Sequence, residues 1–364
     1  MIAKSLQSPT CAEMLLDGRR VINFAGSAYL GIARDPALLT AASEALQQYG
    51  ARVHIPLEYG VLTPPQAEVE RVAADFFGAP AAIYLASGYF VGLAVLTGLH
   101  ARFDVVLLDE SAHYNLVDGA AASGAMIRRF AHLDSGSLEA ELVRARREGR
   151  RTMIAIDAVC PMFGALPRLD IYARLAQEYG ALLFVDESHS FGTLGVHGRG
   201  LAEEYGLSNA GILRGGSLGK AFCAAGAVIV GATEDIAAIR AAPCERGSSW
   251  GLVPGAAMAA ASLKLVQRRP QLLERLRANA LRLKNGLRQL GVQLVDSPAP
   301  IATFVSGPAS AMASLQQRLL AEDLFVFHAR YVGAGSDGAI RCSVFADHGD
   351  AHIDKLLDAL KRAL

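Results

Sequence analysis

The sequence predicts an α/β fold, in which helices cover both faces of a mostly parallel sheet and a smaller α+β domain follows. Short segments rich in Val, Ile and Leu alternate with helical segments of about 10–15 residues, a pattern typical of buried parallel strands. Hydrophobic residues make up 52% of the 364 residues and charged residues only 19%, so a large part of the chain is buried. After about residue 255, a long helical stretch replaces the alternation.

In the first two thirds of the chain, hydrophobic periodicity and the residues that end each segment predict the elements. Gly50 ends one helix, and Pro65 lies in the first turn of the next. We predict strands at 20–24, 81–86, 104–108, 152–156, 181–185 and 227–230. We predict helices at 35–49, 65–77, 138–149 and 169–179, and an apolar helix directly after the strand at 81–86.

The last third is predicted to form a smaller unit. Its elements are a helical stretch at 255–291, strands at 292–295, 301–305, 324–327 and 340–345, and a closing helix at 352–364. We therefore expect three parts in the chain. They are an N-terminal segment at 1–38, a large domain at 39–255 and a small C-terminal domain at 256–364.

Composition and charge exclude several classes of protein. The chain has 35 basic and 35 acidic residues, whereas a nucleic-acid binder needs a basic surplus to neutralise phosphates. Mean hydropathy is +0.28, and the uncharged stretch at 80–101 is long enough to span a membrane. Because that stretch contains several glycines and polar residues, we interpret it as a strand, a turn and a buried helix.

Cysteine usage and the N-terminus suggest the compartment. The five cysteines are scattered, with no Cys-x-x-Cys pair, so we expect neither a metal site nor a disulfide framework. The first twenty residues contain no apolar segment typical of a secretory signal. We expect a cytoplasmic protein with reduced thiols and without a membrane span. The high apolar fraction also suggests that some surface is buried against a second subunit.

Polar residues at the ends of predicted strands are the candidates for chemistry, because ligands of parallel sheets bind at the carboxyl ends of strands. Asp186 ends a buried strand, which is costly unless a cation pairs with it, and His189 follows three residues later. A protonated pyridine nitrogen is one such cation. A cap on the next helix is the alternative role for Asp186. His113 and Asp157 also follow strands.

A lysine in the glycine-rich segment at 214–226 is the second candidate. Lys220 has almost no charged neighbours in the sequence, a setting that suits a Schiff base or a lowered pKa. Ser217 offers a hydroxyl for a phosphate. The alternative is a surface lysine in a loop. A third candidate is the turn at Gly88 and Tyr89, where a helix N-terminus presents backbone N–H groups to an anion.

Four segments together resemble the pyridoxal 5′-phosphate (PLP) enzymes of fold type I, and within them the α-oxoamine synthase family. The segments are DGRRVINFAGSAYLGIA at 17–33, VDESHSFGTLGVHGRG at 185–200, SLGKAF at 217–222 and IRCSVFADHGDAHID at 340–354. The resemblance covers nearly the whole chain. It implies a mostly parallel seven-stranded sheet with a smaller C-terminal domain, PLP as cofactor, and a homodimer with the active site at the subunit interface.

The resemblance also implies the catalytic residues. Lys220 would form the Schiff base with PLP and move the α-proton of the substrate. Asp186 would pair with the pyridine nitrogen of PLP, and His189 would contact its phenolic oxygen. His113 would stack on the face of the ring.

Further positions are implied for the phosphate and for the substrate. Ser217 and the backbone of Gly88 and Tyr89 would bind the phosphate of PLP. Arg341 would bind the substrate carboxylate, for which a guanidinium offers two parallel donors. Ser27 replaces the asparagine of the family near the cofactor, and we assign it to the substrate side of the site.

Several family positions differ in this chain. Gln66 stands where the family has a histidine, and the Phe-Ser-Met-Asp-Gly block is Cys-Pro-Met-Phe-Gly at 160–164. The Ser-Thr-x-x-Pro loop is changed at 249–254. Some of these departures are similar to the autoinducer synthases of the same family. Because the cofactor positions are retained while the substrate positions change, we expect a changed substrate.

The expected activity is a PLP-dependent acyltransferase reaction. It would condense an amino acid with an acyl thioester, carried by coenzyme A or by acyl carrier protein, and release CO2 to give an α-amino ketone. The alternative is a PLP-dependent aminotransferase acting on an amino acid and a keto acid, which uses the same aspartate and lysine.

Overall fold

The computed structural model describes residues 4–207, 211–248 and 251–364. Residues 249 and 250 of the changed loop at 249–254 therefore lie outside the described part. The strands are β1 (Glu13–Leu16), β2 (Arg19–Asn23), β3 (Ala81–Leu85), β4 (Val105–Asp109), β5 (Met126–Phe130), β6 (Thr152–Asp157), β7 (Leu182–Asp186), β8 (Ile212–Ser217), β9 (Ala227–Gly231), β10 (Ile301–Phe304), β11 (Leu324–Phe325), β12 (Phe327–Ala329) and β13 (Ala339–Ser343).

Helices alternate with these strands over most of the chain. They are α1 (Pro36–Tyr49), α2 (Pro64–Phe77), α3 (Phe90–Gly98), α4 (Tyr114–Ser123), α5 (Ser135–Arg147), α6 (Leu169–Tyr179), α7 (Leu201–Glu204), α8 (Thr233–Arg240), α9 (Pro243–Arg246), α10 (Val253–Arg268), α11 (Gln271–Gln289), α12 (Ala309–Ala321) and α13 (Asp350–Ala363).

A seven-stranded sheet in the order β3-β9-β8-β7-β6-β4-β5 forms the centre of the molecule. β9 runs antiparallel to both of its neighbours, and the other pairs are parallel. All five residues of β4 are buried. Val105 and Leu107 pack into one hydrophobic core, whereas Val106 and Leu108 pack into another on the opposite face. The predicted sheet with helices on both faces is therefore confirmed.

The C-terminal part is built around a smaller sheet. β13 pairs antiparallel with β10 and β12, and α11, α12 and α13 pack with this sheet in a third hydrophobic core. β11 pairs with β2, which joins the N-terminal segment to this unit. The division into 1–38, 39–255 and 256–364 stays a prediction. The boundary predicted between residues 255 and 256 falls inside α10 (Val253–Arg268), and α10 packs on α1 and α2.

Several predicted elements are wrong or were missed. Residues 292–295 form no strand, because no neighbouring segment pairs with them. The stretch at 255–291 is two helices, because Pro270 disfavours helical backbone at Arg269. The charged edge strand β5 and the glycine-rich strand β8 were not predicted.

The uncharged stretch at 80–101 forms β3, a turn and α3, as predicted. Within the described residues, no helix combines the length and the hydrophobicity that crossing a bilayer requires.

Candidate active site

A cavity of about 880 Å³ lies between the central sheet and the C-terminal unit. Five of the nine predicted site residues line it, namely Ser27, His113, His189, Lys220 and Arg341. The strands β7 and β8 end at this cavity and supply Asp186 and the segment that carries Lys220. The structure thus brings together residues that are more than 300 positions apart in the sequence.

Lys220 lies in a tight turn directly after β8. The Ser217 hydroxyl accepts a hydrogen bond from the Gly219 N–H at 3.1 Å, and the Lys220 carbonyl accepts one from Cys223 at 3.0 Å. Burial lowers the pKa of the amine to about 8, although Asp186 and Asp157 favour its charged form. A substantial fraction of the amine is therefore neutral and nucleophilic near neutral pH. The alternative of a surface lysine is wrong.

Asp186 is the last residue of β7 and is only 4% exposed. One carboxylate oxygen accepts a hydrogen bond from the Asn115 side-chain amide at 2.7 Å, and the other accepts one from the Ser188 N–H at 2.9 Å. The next helix, α7, begins only at Leu201. The alternative that Asp186 caps the next helix is therefore wrong.

A second carboxyl group lies beside Asp186. Asp157 ends β6 directly opposite Asp186 in the strand register, and its carboxylate accepts a hydrogen bond from the His113 N–H at 2.8 Å. Burial, with the nearby charge of Asp186, raises the pKa of Asp157 to about 8. The pair therefore carries less than two full negative charges at neutral pH.

His189 is held by a tyrosine. Its Nδ1 atom lies 2.8 Å from the Tyr29 hydroxyl oxygen, which also accepts a hydrogen bond from Arg341 at 3.4 Å. Since that oxygen accepts from Arg341, we assign its own proton to the bond with Nδ1, which leaves the imidazole proton on Nε2. Burial, together with the nearby positive charges, lowers the pKa of His189 well below its usual value. The ring is neutral.

His113 precedes α4, and its Nδ1 atom accepts a hydrogen bond from the Asn115 N–H at 3.2 Å. Three tyrosine rings surround the imidazole at centroid distances of about 6 Å, from Tyr89, Tyr114 and Tyr331. The imidazole is therefore framed by aromatic side chains at the edge of the cavity.

Arg341, in the middle of β13, is 7% exposed. Its Nε donates to the Pro161 carbonyl at 3.0 Å and its Nη1 to the Ser343 hydroxyl at 2.8 Å. Within the part of the chain that the structure describes, Nη2 makes only the long contact with Tyr29, so this nitrogen is the most available to a ligand. No acidic side chain within the described ranges forms an ion pair with the guanidinium.

The expected phosphate residues lie beside the cavity. Gly88 contacts Ser217 so closely that an added Cβ atom would lie 2.5 Å from the Ser217 Cβ. Tyr89 precedes α3, and no side chain caps this helix N-terminus. The N–H groups of Phe90 and Val91 donate to the carbonyls of Ser87 and Gly88, and the Tyr89 N–H donates to the Ser87 hydroxyl at 3.3 Å, so an anion bound here would share these donors. The Tyr89 hydroxyl donates to Asp118.

The residues present fit PLP. The amine of Lys220 faces the cavity, a buried carboxylate stands behind it at the end of β7, and His189 directs a neutral N–H toward the same space. The close contact of Gly88 with Ser217 leaves a side-chain-free turn at a helix N-terminus, as a phosphate group requires.

The sequence did not indicate that Asn115 and Tyr29 belong to the site, and it gave Asp157 a position at a strand end but no chemical role. Asn115 and Tyr29 had no assigned role, although Asn115 follows His113 by two residues and Tyr29 lies in the N-terminal segment that carries the family resemblance. Asp157 was noted only as a residue at a strand end. Gln66, the changed family histidine, is buried and accepts hydrogen bonds from the backbone and side chain of Thr63 at the start of α2. It does not line the cavity.

Comparisons with known proteins agree with this geometry. The model of the aminotransferase class I and II family matches residues 19–360. An 8-amino-7-oxononanoate synthase from Nitrosococcus oceani is 34% identical over 369 residues, which cover 99% of this chain and 96% of that protein. One from Methylococcus capsulatus is 34% identical, over 99% and 93% of the two chains.

Solved structures agree as well. A serine palmitoyltransferase solved at high resolution with a PLP internal aldimine has a TM-score of 0.94 at 27% identity, and the match covers 99% of this chain and 92% of that one. A serine palmitoyltransferase from S. paucimobilis with a bound PLP–myriocin aldimine has a TM-score of 0.92 at 26% identity, with the same coverage.

Proposed function

The chain belongs to the aminotransferase class I and II family, and from this membership we propose that it is a PLP-dependent acyltransferase of the α-oxoamine synthase type. It condenses an amino acid with an acyl thioester and releases CO2, which gives an α-amino ketone. The observation that carries the proposal is that Lys220 and His189 line one cavity while the buried Asp186 carboxylate lies close enough to act on the charge of Lys220, in a chain 34% identical to 8-amino-7-oxononanoate synthases.

The residues that would hold PLP follow from the geometry. Bound PLP supplies an electron sink that stabilises negative charge at the α-carbon of an amino acid. Asp186 would pair with the pyridine nitrogen, and its bond from Asn115 keeps the carboxylate oriented. His189 would donate from Nε2 to the phenolic oxygen, and Ser217 with the Gly88 turn would bind the phosphate.

The same chain provides the groups that act on the substrate. Lys220, with a pKa of about 8, can take up and return a proton at the α-carbon near neutral pH. The Nη2 of Arg341, which makes only a long 3.4 Å hydrogen bond to Tyr29 among the described residues, would bind the substrate carboxylate. Ser27 and Tyr331 line the cavity beside these groups and would contact the substrate. The remaining wall includes Leu320, Phe325 and Phe327, an apolar surface that suits an acyl chain and excludes water.

Transamination is the less supported candidate. It needs the same aspartate and lysine, and the matched family model includes aminotransferases by name. The curated relatives at 34% identity are named as synthases, and this observation favours condensation.

We also propose a cytoplasmic homodimer with the active site at the subunit interface. Tyr89, Phe90 and Tyr114 lie near the site and are 46%, 47% and 49% exposed, which is unusual for a cluster of large aromatic residues. The five cysteines are all free thiols in the structure, as a reducing compartment allows. A Phe90→Asp variant should lower the molecular mass measured by light scattering to that of a monomer and reduce turnover.

The decisive experiment tests products directly. The PLP-loaded protein is incubated with a panel of amino acids and with acyl thioesters of both coenzyme A and acyl carrier protein, and products are identified by mass spectrometry. We expect an α-amino ketone with equal release of free thiol and CO2, and no product from Lys220→Ala. A keto acid formed from an amino acid without thiol release would replace this proposal with transamination.

A further inference from the structure

The end of β7 leaves one backbone donor of β8 without its usual partner. The two strands are parallel, and their register pairs Asp186 with Gly215. The ladder continues one step beyond β7, where the Glu187 N–H donates to the Gly215 carbonyl at 2.7 Å. In such a ladder the next bond would run from the Ser217 N–H to the Glu187 carbonyl. That carbonyl instead accepts hydrogen bonds from its own turn, so the Ser217 N–H needs another acceptor.

The side chain of Ser188 supplies that acceptor. Its hydroxyl oxygen accepts a hydrogen bond from the Ser217 N–H at 3.0 Å, and Ser188 itself is buried. The two chain segments meet closely here, since a Cβ atom added at Gly216 would lie 2.9 Å from the Ser188 nitrogen. The backbone of Ser217 is thereby fixed by a side chain that follows the neighbouring strand.

Ser188 also contacts the other end of the proposed cofactor site. Its N–H donates to one carboxylate oxygen of Asp186 at 2.9 Å. The backbone of this residue therefore contacts the carboxylate proposed for the pyridine nitrogen, and its side chain contacts the serine proposed for the phosphate. Together the two hydrogen bonds set the position of Ser217 relative to Asp186.

The position of the Ser217 peptide matters because its side chain lies in a crowded turn. The Ser217 hydroxyl accepts a hydrogen bond from the Gly219 N–H at 3.1 Å, and a Cβ atom added at Gly88 would lie 2.8 Å from it. Without the bond to Ser188, the Ser217 N–H would have to turn toward water or toward another acceptor. The hydroxyl would then move away from its place beside Gly88.

We propose that Ser188 is a positioning residue for the phosphate of PLP and that it acts through Ser217. Its hydroxyl holds the Ser217 peptide in place, so that the Ser217 hydroxyl and the turn at Gly88 and Tyr89 meet the same phosphate group. This inference rests on the proposed function. It assigns to Ser188 an effect on cofactor binding that is transmitted by another side chain.

The test compares two ligands that differ only in the phosphate. PLP and pyridoxal, which lacks the phosphate, are titrated into the apoprotein, and the absorbance of the Schiff base with Lys220 reports binding. Ser188→Ala keeps the backbone bond to Asp186 and removes only the acceptor of the Ser217 N–H. We expect the dissociation constant of PLP to rise at least about fivefold, the effect of one ordinary hydrogen bond, and that of pyridoxal to rise less than about twofold.

Ser262→Ala is the matched control. The Ser262 side chain is fully buried, and its hydroxyl donates to the Phe222 carbonyl at 2.6 Å, so this variant also loses one buried hydroxyl beside the segment that carries Lys220. We expect it to bind both ligands as the unmodified protein does, because no bond of Ser217 changes. Should Ser188→Ala not fold, Ser188→Cys replaces the oxygen by a weaker acceptor, and we expect the same selective loss of PLP affinity.

Two results would overturn the inference. One is an unchanged dissociation constant of PLP in a folded Ser188 variant. The other is an equal rise for PLP and pyridoxal, because a general loosening of the site weakens both ligands whereas a displaced phosphate group weakens only one. If the unmodified apoprotein bound neither ligand, the proposed function itself would fail. A tight PLP site that is insensitive to Ser188→Ala would leave that function intact and remove only the role of Ser188.

Discussion

The Tyr29 hydroxyl oxygen lies 2.8 Å from Nδ1 of His189 and connects this histidine to Arg341. One residue of the N-terminal segment thereby orients both the group expected at the phenolic oxygen of the cofactor and the group expected at the substrate carboxylate. The relation also fixes the imidazole proton on Nε2, where it faces the cavity.

Replacing Tyr29 by Phe should reduce turnover without emptying the site. The change removes a hydrogen bond worth about 1 kcal/mol, so we expect kcat to fall about fivefold to tenfold while PLP remains bound. Steady-state kinetics and the visible spectrum of the bound cofactor check this. Tyr205→Phe is a control, because it removes a hydroxyl whose bond to the Pro167 carbonyl lies outside the cavity. Equal losses in both variants would contradict a specific role for Tyr29.

Lys220→Ala should abolish both the visible absorption band of bound PLP and all turnover, because it removes the buried amine that lies in the cavity with His189 and in the field of Asp186. Lys264→Ala is the matched control, since Lys264 is partly exposed and pairs with Glu68 on the surface. Absorption spectra and product assays of the two variants suffice. A Lys220→Ala protein that kept its band would refute the assignment.

Asn115→Ala should weaken the binding of PLP. The Asn115 amide donates to a buried carboxylate oxygen of Asp186, and bonds to charged groups are worth about 1.5–3 kcal/mol. We expect the dissociation constant of PLP, measured by fluorescence titration of the apoprotein, to rise at least tenfold. Asp186→Asn should instead retain PLP and lose most of its activity, because the ring nitrogen would no longer be held protonated. An unchanged PLP affinity in Asn115→Ala would show that Ser188 alone orients Asp186.

Gly88→Ala should obstruct the turn at Gly88 and Tyr89, which is proposed to bind the phosphate of PLP. A Cβ atom at this position would lie 2.5 Å from Cβ and 2.8 Å from Oγ of Ser217, so the loops must move apart. We expect at least a tenfold loss of PLP affinity with a small change in thermal stability. Gly349→Ala is the control, because its added Cβ atom meets nothing within 4 Å. If the two variants bound PLP equally well, the turn would have no part in the site.

Asp157→Asn should change how the stability of the apoprotein depends on pH. The pKa of Asp157 is about 8 in the fold against an ordinary 3.8, so between these values the folded state binds more protons than the unfolded state. This group therefore stabilises the fold fully only at low pH, and its contribution declines as pH rises toward 8. Urea unfolding at pH 5 and pH 8 should show a smaller loss in the variant, by at least about 1.4 kcal/mol. Identical losses would contradict the raised pKa.

The sequence was sufficient for elements whose local pattern agrees with their environment. The helix predicted at 169–179 coincides with α6, and the strand predicted at 81–86 with β3 to within one residue. It was insufficient where pairing in three dimensions decides the outcome. β8 contains Arg214 and two glycines and resembles a loop, yet it lies between β7 and β9 with its arginine fully buried.

The candidate site shows the same division. Lys220 and Asp186 were singled out because a charge in an apolar segment needs a partner, and His189 because it follows Asp186 by three residues. Tyr29 and Asn115 act through hydrogen bonds to other side chains, and no local pattern indicates which distant atom such a side chain contacts. Their roles depend on contacts that only the three-dimensional fold creates.

Arg341 has a consequence for how the molecule folds. Its guanidinium donates to the carbonyls of Pro161 and Gly26, so three segments separated by up to 315 positions meet at one side chain. Contacts over such long sequence separations form late, because the entropy lost in closing a large loop must be offset before the contact stabilises the fold. A chain still emerging during synthesis contains all seven central strands and Lys220 before Arg341, the residue proposed for the substrate carboxylate, has been made. We therefore expect the proposed carboxylate site to be completed last, when β13 docks.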